Sequence, residues 1–529
     1  MASPEIAGIA RRQTLYDVLE RSAVRQPEKL AISCGHTEWS YRAFADVVLR
    51  LAGGLNSAGI GIGDRVAVLS RNSHWFMALR FAVARAGAVF VPINFMLNET
   101  DTAYIVEHCE AKALFIERSC MAVGLAAVHR IHGVRAFALP DADGVADIRG
   151  AEPFEALLQI GEAPINGAAL DGKSLAQIIY TSGTESRPKG AMLTHEAIIW
   201  QYQSCLADCD WQPSARVLNA LPLFHCAQLD TFLGPSLHIG GSNWIISAPE
   251  PSVVLPMIER EGITSFFAPP TVWISLLRAP LFDQHDLSSL THGYYGASIM
   301  PVEVLAELRQ RLPQMRLWNC YGQTEIAPLA VVLQPEDQVR KAGAAGRAVL
   351  HVRTRLVDDA MNDVAPGEVG EIVHQSPQLM TGYWRDPERT AEAFAGGWFH
   401  SGDLGVIDDE GFITVVDRKK DMIKSGGENV ASREVEEVLY GHPAISEAAV
   451  IGMPDPKWIE RVTAIVVLRA GACVSADDVI SHCTARLSSF KVPKEVVFED
   501  NLPRNASGKI LKRELRERLA AAKASQARP

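Results

Sequence analysis

The stretch QIIYTSGTESRPKG at residues 177–190 begins as a short apolar strand and then breaks into a polar loop. Lys189 adds a positive charge beside that loop, which suits an anionic ligand. The stretch is not a Walker motif, because Lys189 precedes Gly190 and no Ser or Thr follows the pair. The candidate phosphate ligands share a hydroxyl or an exposed backbone amide: Thr181, Ser182, Gly183 and Thr184.

Strand-like and helix-like segments alternate on both sides of this loop. Arg65–Ser70 and Val89–Ile93 have the apolar character of short buried strands, and Leu15–Glu20 has the apolar spacing of a helix. Helical stretches rich in Ala and Leu lie between them, and the alternation returns after residue 185. This pattern predicts an α/β fold in which helices cover a parallel sheet.

The composition changes near residue 350. Gly and Asp cluster in DDAMNDVAPGEVGE and IDDEGFITVVDRKKD, with short β-like runs between them. We expect a β-rich subdomain here, a junction around Asp417–Lys420, and then a smaller α+β unit. The chain is therefore predicted to contain more than one folded domain.

Composition and charge exclude several classes of protein. The 529 residues are 48% hydrophobic and 21% charged, which is typical of a globular protein and not of a disordered or collagen-like chain. A net charge of −11 provides no overall positive field for holding a nucleic acid. Nine cysteines without a CxxC pair favour reduced thiols in a cytoplasmic protein.

The apolar stretches are too short for a membrane span. Charged residues and prolines interrupt each of them well before the ~20 residues that a spanning helix requires, so we expect no transmembrane segment. The amino terminus also lacks the apolar core of a secretory signal. A peripheral contact with a membrane surface and a homodimer both stay open.

Seven further segments carry polar or glycine-rich patterns. Alone, each is typical of a turn, a bulge or a solvated loop. In chain order they are LPLFH at 221–225, YGAS at 295–298, NCYGQTE at 319–325, WFHSGD at 398–403, DRKKD at 417–421, SGGEN at 425–429 and PRNASGK at 503–509.

Taken in order, these segments and the 177–190 loop resemble the motifs of the adenylate-forming superfamily. This superfamily includes acyl- and aryl-CoA ligases, luciferases and the adenylation domains of peptide synthetases. The ordered matches run from Thr181 to Lys509 and argue strongly against coincidence. Glu185 and Ser186 depart from the superfamily's usual TSGTTGxPKG, and Ile459 stands where relatives commonly have glycine after Trp.

The resemblance implies how ATP and Mg²⁺ are bound. Thr324 approaches the α-phosphate, and Glu325, together with Thr181, holds Mg²⁺, a hard cation that prefers carboxylate and hydroxyl oxygens. Asp403 accepts hydrogen bonds from the ribose hydroxyls, for which a carboxylate is well suited, and Arg418 also contacts the ribose. The residues implied to lie around the adenine and its neighbouring acyl group are Ala297, Ser298, Tyr321 and Gly322.

The resemblance also implies residues for the acid, the thiol and the chemistry. His225, Gly296 and Lys424 fall at the acid pocket. Lys509 is the expected catalytic lysine, which stabilises charge that builds between the carboxylate and the α-phosphate, while Lys189 neutralises the phosphates. The glycines implied to line the tunnel for the pantetheine arm of coenzyme A are Gly426 and Gly427.

The resemblance further implies two domains that move. We predict an N-terminal domain over residues 1–417, made of αβ-layered subdomains and the β-rich subdomain, and a small mobile α+β domain over 422–529. The hinge is expected at 418–421, centred on Lys420. Because Lys509 lies in the second domain, closure of the domains must assemble the site.

The implied reaction joins a carboxylic acid to coenzyme A. The acid attacks the α-phosphorus of MgATP to form an acyl-adenylate and pyrophosphate, and the thiol then displaces AMP. Coenzyme A is favoured over a carrier protein because only 20 residues follow Lys509, too few for a carrier domain. The expected partners are therefore ATP, coenzyme A and a small carboxylic acid.

The substrate class rests on few residues. The expected lining of the pocket, His225, Leu229, Gly296 and the region near Trp200, is apolar or small, which favours a medium- or long-chain fatty acid. Lys424, in DMIKSGG, is similar to the residue in coumarate-type ligases, so an aryl or phenylpropanoid acid is an alternative. Loading of a separate carrier protein is another, and a non-catalytic nucleotide sensor is the alternative outside this class.

Overall fold

The computed structural model describes residues 10–144, 148–159, 170–181, 187–297, 300–425, 428–504 and 510–526. Helices and strands alternate through most of this length. The helices span Leu15–Arg25, Tyr41–Ser57, His74–Ala86, Glu99–His108, Met121–Arg130, Glu155–Leu158, His195–Asp208, Gly234–Ile239, Pro251–Glu261, Pro270–Arg278, Val302–Arg311, Pro387–Ala393, Ser432–Tyr440, Ala476–Thr484 and Lys512–Gln526.

The strands are numbered in chain order. They are β1 Leu30–Cys34, β2 Thr37–Ser40, β3 Arg65–Leu69, β4 Val89–Ile93, β5 Ala111–Glu117, β6 Arg135–Leu139, β7 Glu152–Pro153, β8 Leu175–Thr181, β9 Lys189–Thr194, β10 Arg216–Asn219, β11 Ser242–Ile245, β12 Ser265–Phe267, β13 His292–Gly296, β14 Arg316–Gly322, β15 Leu329–Leu333, β16 Arg347–Ala348, β17 Arg353–Val357, β18 Gly370–Gln375, β19 Gly382–Tyr383, β20 Phe399–Ile407, β21 Ile413–Arg418, β22 Ile423–Ser425, β23 Glu428–Val430, β24 Ile445–Asp455, β25 Ile459–Leu468 and β26 Glu495–Phe498.

Two large sheets form the body of the N-terminal domain. One has the strand order β19-β9-β8-β4-β3-β5-β6-β7, and its strands from β8 to β7 are parallel. The other has the order β16-β15-β14-β13-β12-β10-β11-β1-β2, and β14 through β1 are parallel. The predicted helix-covered parallel sheet is thus confirmed, and there are two of them.

The β-rich part and the C-terminal part have sheets of their own. Strands β17, β18, β20 and β21 form an antiparallel sheet in the region where Gly and Asp cluster. After it, β22–β26 form a mixed sheet against which the last three helices pack. The predicted fold class, a large N-terminal domain followed by a C-terminal α+β domain, is confirmed, while the exact hinge at 418–421 stays a prediction.

Short polar side chains fix where several helices begin. Thr14 and Asp17 form a reciprocal capping box at Leu15–Arg25. Ser73 and Asn98 accept hydrogen bonds from the third backbone amide of the helices that follow them. At the other end of His74–Ala86, Gly87 takes a left-handed φ of 77°, which ends the helix without steric cost.

The largest apolar cluster lies between the first three helices and the eight-stranded sheet. Phe44, Phe76, Phe81 and Phe90 are all at most 1% exposed and meet edge to face in pairs. Burial of each such ring away from water contributes roughly 1.5–3 kcal/mol to the free energy of unfolding. In the described part of the chain, no helix is both long enough and apolar enough to cross a membrane.

Gly54 is expected to tolerate no side chain. A Cβ there would lie 2.0 Å from the carbonyl oxygen of Leu157, so Gly54→Ala should lower the free energy of unfolding by about 1–3 kcal/mol. Gly61→Ala is the matched control, because the nearest atom to its Cβ is Asn56 Oδ1 at 3.8 Å. Urea unfolding measures both variants, and equal midpoints would contradict the steric explanation.

Candidate active site

A cavity of about 710 Å³ lies at the carboxyl ends of β8, β13 and β14. The carboxyl ends of parallel strands are the usual ligand site of α/β folds, because the connecting loops meet there. The residues predicted from the sequence that line this cavity are Thr181, Lys189, His225, Ala297, Tyr321, Gly322, Thr324, Glu325, Arg418 and Lys420.

Strands β8 and β9 hold the two ends of the 177–190 loop side by side. Thr181 is the register partner of Lys189 in this antiparallel pair. The Lys189 ammonium lies 5.1 Å from the centre of the Tyr383 ring. A hydroxyl and a positive charge therefore face the cavity together, whereas Ser182, Gly183 and Thr184 lie outside the described residues.

Glu325 lies in a 3₁₀ turn, Thr324–Ile326, directly after β14. The Tyr383 hydroxyl donates to Glu325 Oε1 at 2.9 Å. Burial, and then the neighbouring Glu325 carboxylate, raise the pKa of the Tyr383 phenol, so the phenol stays a donor. Sequence reasoning missed Tyr383, because nothing near it in the chain points to a residue 58 positions away.

Thr324 and His225 both line the cavity, and each follows a strand of the nine-stranded sheet. Thr324 is buried, with its hydroxyl 3.2 Å from Cys226 Sγ. His225 Nδ1 accepts a hydrogen bond from the Ala227 amide at 3.2 Å, which orients the ring. The structure thus brings together the segments 221–225 and 319–325, which are about one hundred residues apart.

Tyr321, Asp403 and Arg418 form one linked group. The Tyr321 hydroxyl donates to Asp403 Oδ2 at 2.7 Å, and Arg418 Nε lies 3.2 Å from Oδ1. Asp403 and Arg418 face each other as register partners of β20 and β21. Asp403 is buried and does not itself line the cavity, but each of its carboxylate oxygens keeps a second lone pair.

Lys420 lies in the cavity wall beside Arg418. Burial is the main reason why the pKa of Lys420 falls to about 8, and the positive charges of Arg418 and Lys189 lower it further. This ammonium is therefore charged at pH 7 and loses its proton in mildly alkaline solution.

The other predicted residues lie outside the cavity lining or outside the described chain. Gly296 pairs with Cys320, and a Cβ on it would lie 2.2 Å from the Cys320 carbonyl oxygen, so this glycine permits close strand packing. Lys424 is exposed, and its backbone amide donates to Glu460 Oε2 at 2.8 Å. Those beyond the described residues are Ser298, Gly426, Gly427 and Lys509.

Ile459 is conformationally unusual. It has a φ of 69°, which a β-branched residue rarely adopts, and 66% of its surface is exposed. It lies opposite Ser425 in the C-terminal sheet. The departure from glycine at this position is thus accompanied by backbone strain.

Aromatic and apolar side chains line one end of the cavity. Phe232 and Phe267 are stacked, with ring centres 4.1 Å apart, next to Ala227 and Thr231. Leu229 and Trp200, which were expected here, do not line it. Leu229 is buried in the core, and Trp200 is 41% exposed and meets His351 edge to face, because each points to another side of its helix.

Comparisons with known proteins agree with this architecture. The family model for the AMP-binding enzyme matches residues 19–384, and that for the AMP-binding enzyme C-terminal domain matches residues 434–509. A feruloyl-CoA synthase of Amycolatopsis is 38% identical over 96% of this chain and 99% of its own. An indoleacetate–CoA ligase of Aromatoleum aromaticum is 36% identical over 96% and 98%. The solved structure of an anthranilate CoA ligase with anthranoyl-AMP superposes with a TM-score of 0.89, at 26% identity over 97% of this chain and 98% of that one.

The cavity, the two-part architecture and these similarities define an adenylate-forming enzyme. The chain belongs to the AMP-binding enzyme family. It is an AMP-forming acid–thiol ligase that uses ATP and proceeds through an acyl-adenylate. The resemblance drawn from the ordered motifs is confirmed.

The charge of Lys420 is expected to set the alkaline limit of activity. Its positive charge is present below pH 8 and is lost as the pH rises through about 8, so kcat/KM for ATP should fall there. Lys420→Arg should move this fall to higher pH, since a guanidinium stays charged. Lys341→Met is the control and should keep the wild-type profile, because Lys341 pairs with Asp408 and Glu410 and lies outside the cavity lining. A wild-type profile in Lys420→Arg would contradict the assignment.

Proposed function

We propose that this enzyme is an aryl-CoA ligase, which converts an aromatic carboxylic acid, MgATP and coenzyme A into an aryl-CoA thioester, AMP and pyrophosphate. The observation that carries the proposal is the aromatic end of the cavity, where the largely buried, mutually stacked rings of Phe232 and Phe267 form part of an apolar wall. Aromatic rings pack well against such walls in offset or edge-to-face contact. The relatives named for feruloyl, indoleacetate and anthranilate also favour this alternative over the fatty acid first expected.

The acid, by this proposal, lies between the aromatic end and His225. Its carboxylate faces the phosphate side of the cavity, where Lys189 and Thr324 contribute a positive charge and a hydroxyl. These groups, with Thr181, Ser182, Gly183 and Thr184, would hold the triphosphate in line for attack by the carboxylate. Asp403 and Arg418 would hold the ribose.

Glu325 and Thr181 fit a magnesium ion bound together with ATP. In the described parts of the chain there is no group of three or more His, Cys, Asp or Glu residues that could hold a metal by itself. One carboxylate and one hydroxyl suit Mg²⁺ that is otherwise held by phosphate oxygens and water. When bound, the ion would neutralise charge on the leaving pyrophosphate. Tyr383 would orient Glu325 through its hydrogen bond.

The second half-reaction needs a different set of residues. Lys509 is proposed to neutralise charge during adenylation, and Gly426 and Gly427 to admit the pantetheine thiol afterwards. Because Lys509, placed at the carboxylate and the α-phosphate, would obstruct the approach of the thiol to the acyl carbon, we propose a rotation about 418–421 between the steps.

Pyrophosphate release tests the proposed function. The purified enzyme is given MgATP with ferulate, coumarate, indoleacetate, anthranilate, benzoate, octanoate or palmitate, each with and without coenzyme A. We expect kcat/KM for the best aromatic acid to exceed that for either alkyl acid by at least about tenfold, because a cavity end shaped for a ring binds an alkyl chain less well. Coenzyme A should raise the rate.

Other outcomes identify the alternatives. A preference for palmitate would make the enzyme a fatty-acyl-CoA ligase. Release that never responds to coenzyme A would indicate a carrier-loading enzyme, and no release with any acid would favour a nucleotide sensor.

Thr231 is predicted to recognise a polar substituent on the ring. It places a hydroxyl in the aromatic end of the cavity, and Gln201 Nε2 lies 3.5 Å behind that oxygen. Thr231→Val should lower kcat/KM for coumarate about 3–10-fold, the range expected for one neutral hydrogen bond, and should leave cinnamate unchanged. Thr102→Val is the control, since Thr102 is equally buried but lies outside the cavity lining. Equal losses for both acids would refute the role.

A further inference from the structure

The segment that follows His225 and Cys226 is a π-helix, Ala227–Leu233. Its i→i+5 hydrogen bonds make each turn wider than the 3.6 residues of an α-helix. Residues four and five positions apart therefore share a face, and Ala227, Thr231 and Phe232 all line the cavity. In an α-helix, Phe232 would turn away from this face and Asp230 would turn towards it.

Asp230 instead points into the protein core, where it is completely buried. It forms an ion pair with Arg80, which is 1% exposed. Gln177 Nε2 donates to Asp230 Oδ2 at 2.7 Å, and the Tyr202 hydroxyl donates to Oδ1 at 3.3 Å. Arg80 also donates to Tyr202 at 3.2 Å and to Gln177 at 3.3 Å, so the four side chains form a closed network.

These four side chains come from four different elements. Arg80 lies on the helix His74–Ala86, Tyr202 on His195–Asp208, Gln177 on β8 and Asp230 on the π-helix. Four residues beyond Gln177, β8 ends at Thr181 in the cavity wall. The network thus connects the aromatic end of the cavity with the strand that leads to its phosphate side.

Stability alone is a poor reason for such a network. Replacing a buried ion pair by apolar side chains is often neutral or stabilising, because charges lose their hydration when they are buried. A pair of this kind is better suited to selecting one local arrangement among several, since only one arrangement satisfies every partner. Here the arrangement that brings the four side chains together is the π-helical form of residues 227–233.

We propose that Asp230, paired with Arg80, is a positioning residue for the acid. The ion pair with Arg80 draws Asp230 into the core and so holds residues 227–233 in the π-helical conformation. This conformation places Thr231 and Phe232 against the bound acid. This inference rests on the proposed function, in which the acid occupies that end of the cavity. Neither Asp230 nor Arg80 lines the cavity, so both act on the acid indirectly, through the positions of Thr231 and Phe232.

The test is a variant that loses both charges and keeps polar side chains of similar shape, Arg80→Gln with Asp230→Asn. In acid-dependent ATP–pyrophosphate exchange, KM for the aromatic acid should rise about tenfold or more, as expected when a substrate wall shifts by a fraction of an ångström. KM for ATP should stay within about twofold of the wild-type value. The ratio of kcat/KM between the best and the poorest ring-substituted acid should decrease.

A second ion pair separates this effect from general destabilisation. Arg12 and Asp17 also form a largely buried pair, at 2.8 Å, and lie outside the cavity lining. Arg12→Gln with Asp17→Asn should lower the Tm while leaving KM for the acid unchanged. If the Arg80/Asp230 variant does not fold, Arg80→Lys replaces it. This variant keeps the charge but loses the forked donors, and KM for the acid should still rise severalfold.

The outcomes are distinct. A wild-type KM and acid preference in the folded Arg80/Asp230 variant would overturn the inference, as would equal rises in KM for acid and for ATP. If the wild-type enzyme accepts no aromatic acid in the same assay, the proposed function fails instead, independently of the variants.

Discussion

The carboxylate of Asp230 ties the two large sheets together within the protein core. Asp230 belongs to the π-helix that precedes β11 of the nine-stranded sheet, while Gln177 is part of β8 in the eight-stranded sheet. Arg80 reaches the same carboxylate from a helix that packs within the first apolar cluster. A buried charge tolerates little displacement of its partners, because each lost hydrogen bond leaves an unsatisfied group in a medium of low dielectric constant. The cavity between the sheets is therefore shaped by polar contacts as well as by apolar packing.

A second constraint acts on the floor of the cavity. The backbones of β13, β14 and β15 approach so closely that a Cβ on Gly322 would lie 1.8 Å from the Pro328 carbonyl oxygen, and one on Gly296 would also collide. These glycines are needed for strand packing, and the packing places Tyr321 and Thr324 at the ends of the strands. A motif glycine can thus be essential without touching a ligand, as Gly296 illustrates.

Local patterns in the sequence predict local features well. The apolar runs predict β3 and β4 to within a residue, and the ordered motifs predict ten of the residues that line the cavity. Pairs that are distant in the chain are missed: Tyr383 with Glu325, Tyr321 with Asp403, and Arg80 with Asp230, up to 150 positions apart. No periodicity encodes such a pairing. The one available signal is a lone charge within an apolar run, in FMALRFAVA and in AQLDTFL, because a charge there must find a buried partner.

The predicted hinge lies beside a further group of buried polar contacts. Asp417 accepts from the Ser432 amide at 2.6 Å and from its hydroxyl at 2.7 Å, and Arg433 donates to the backbone carbonyls of Val415 and Gly343. A rotation about 418–421 would break these contacts, and each hydrogen bond to a charged group contributes about 1.5–3 kcal/mol. It would also move Lys420 relative to Asp403 and Lys189, whose charges affect its pKa. These contacts therefore stabilise the present orientation. A ligand would favour the rotated orientation only by binding it more tightly than the present one.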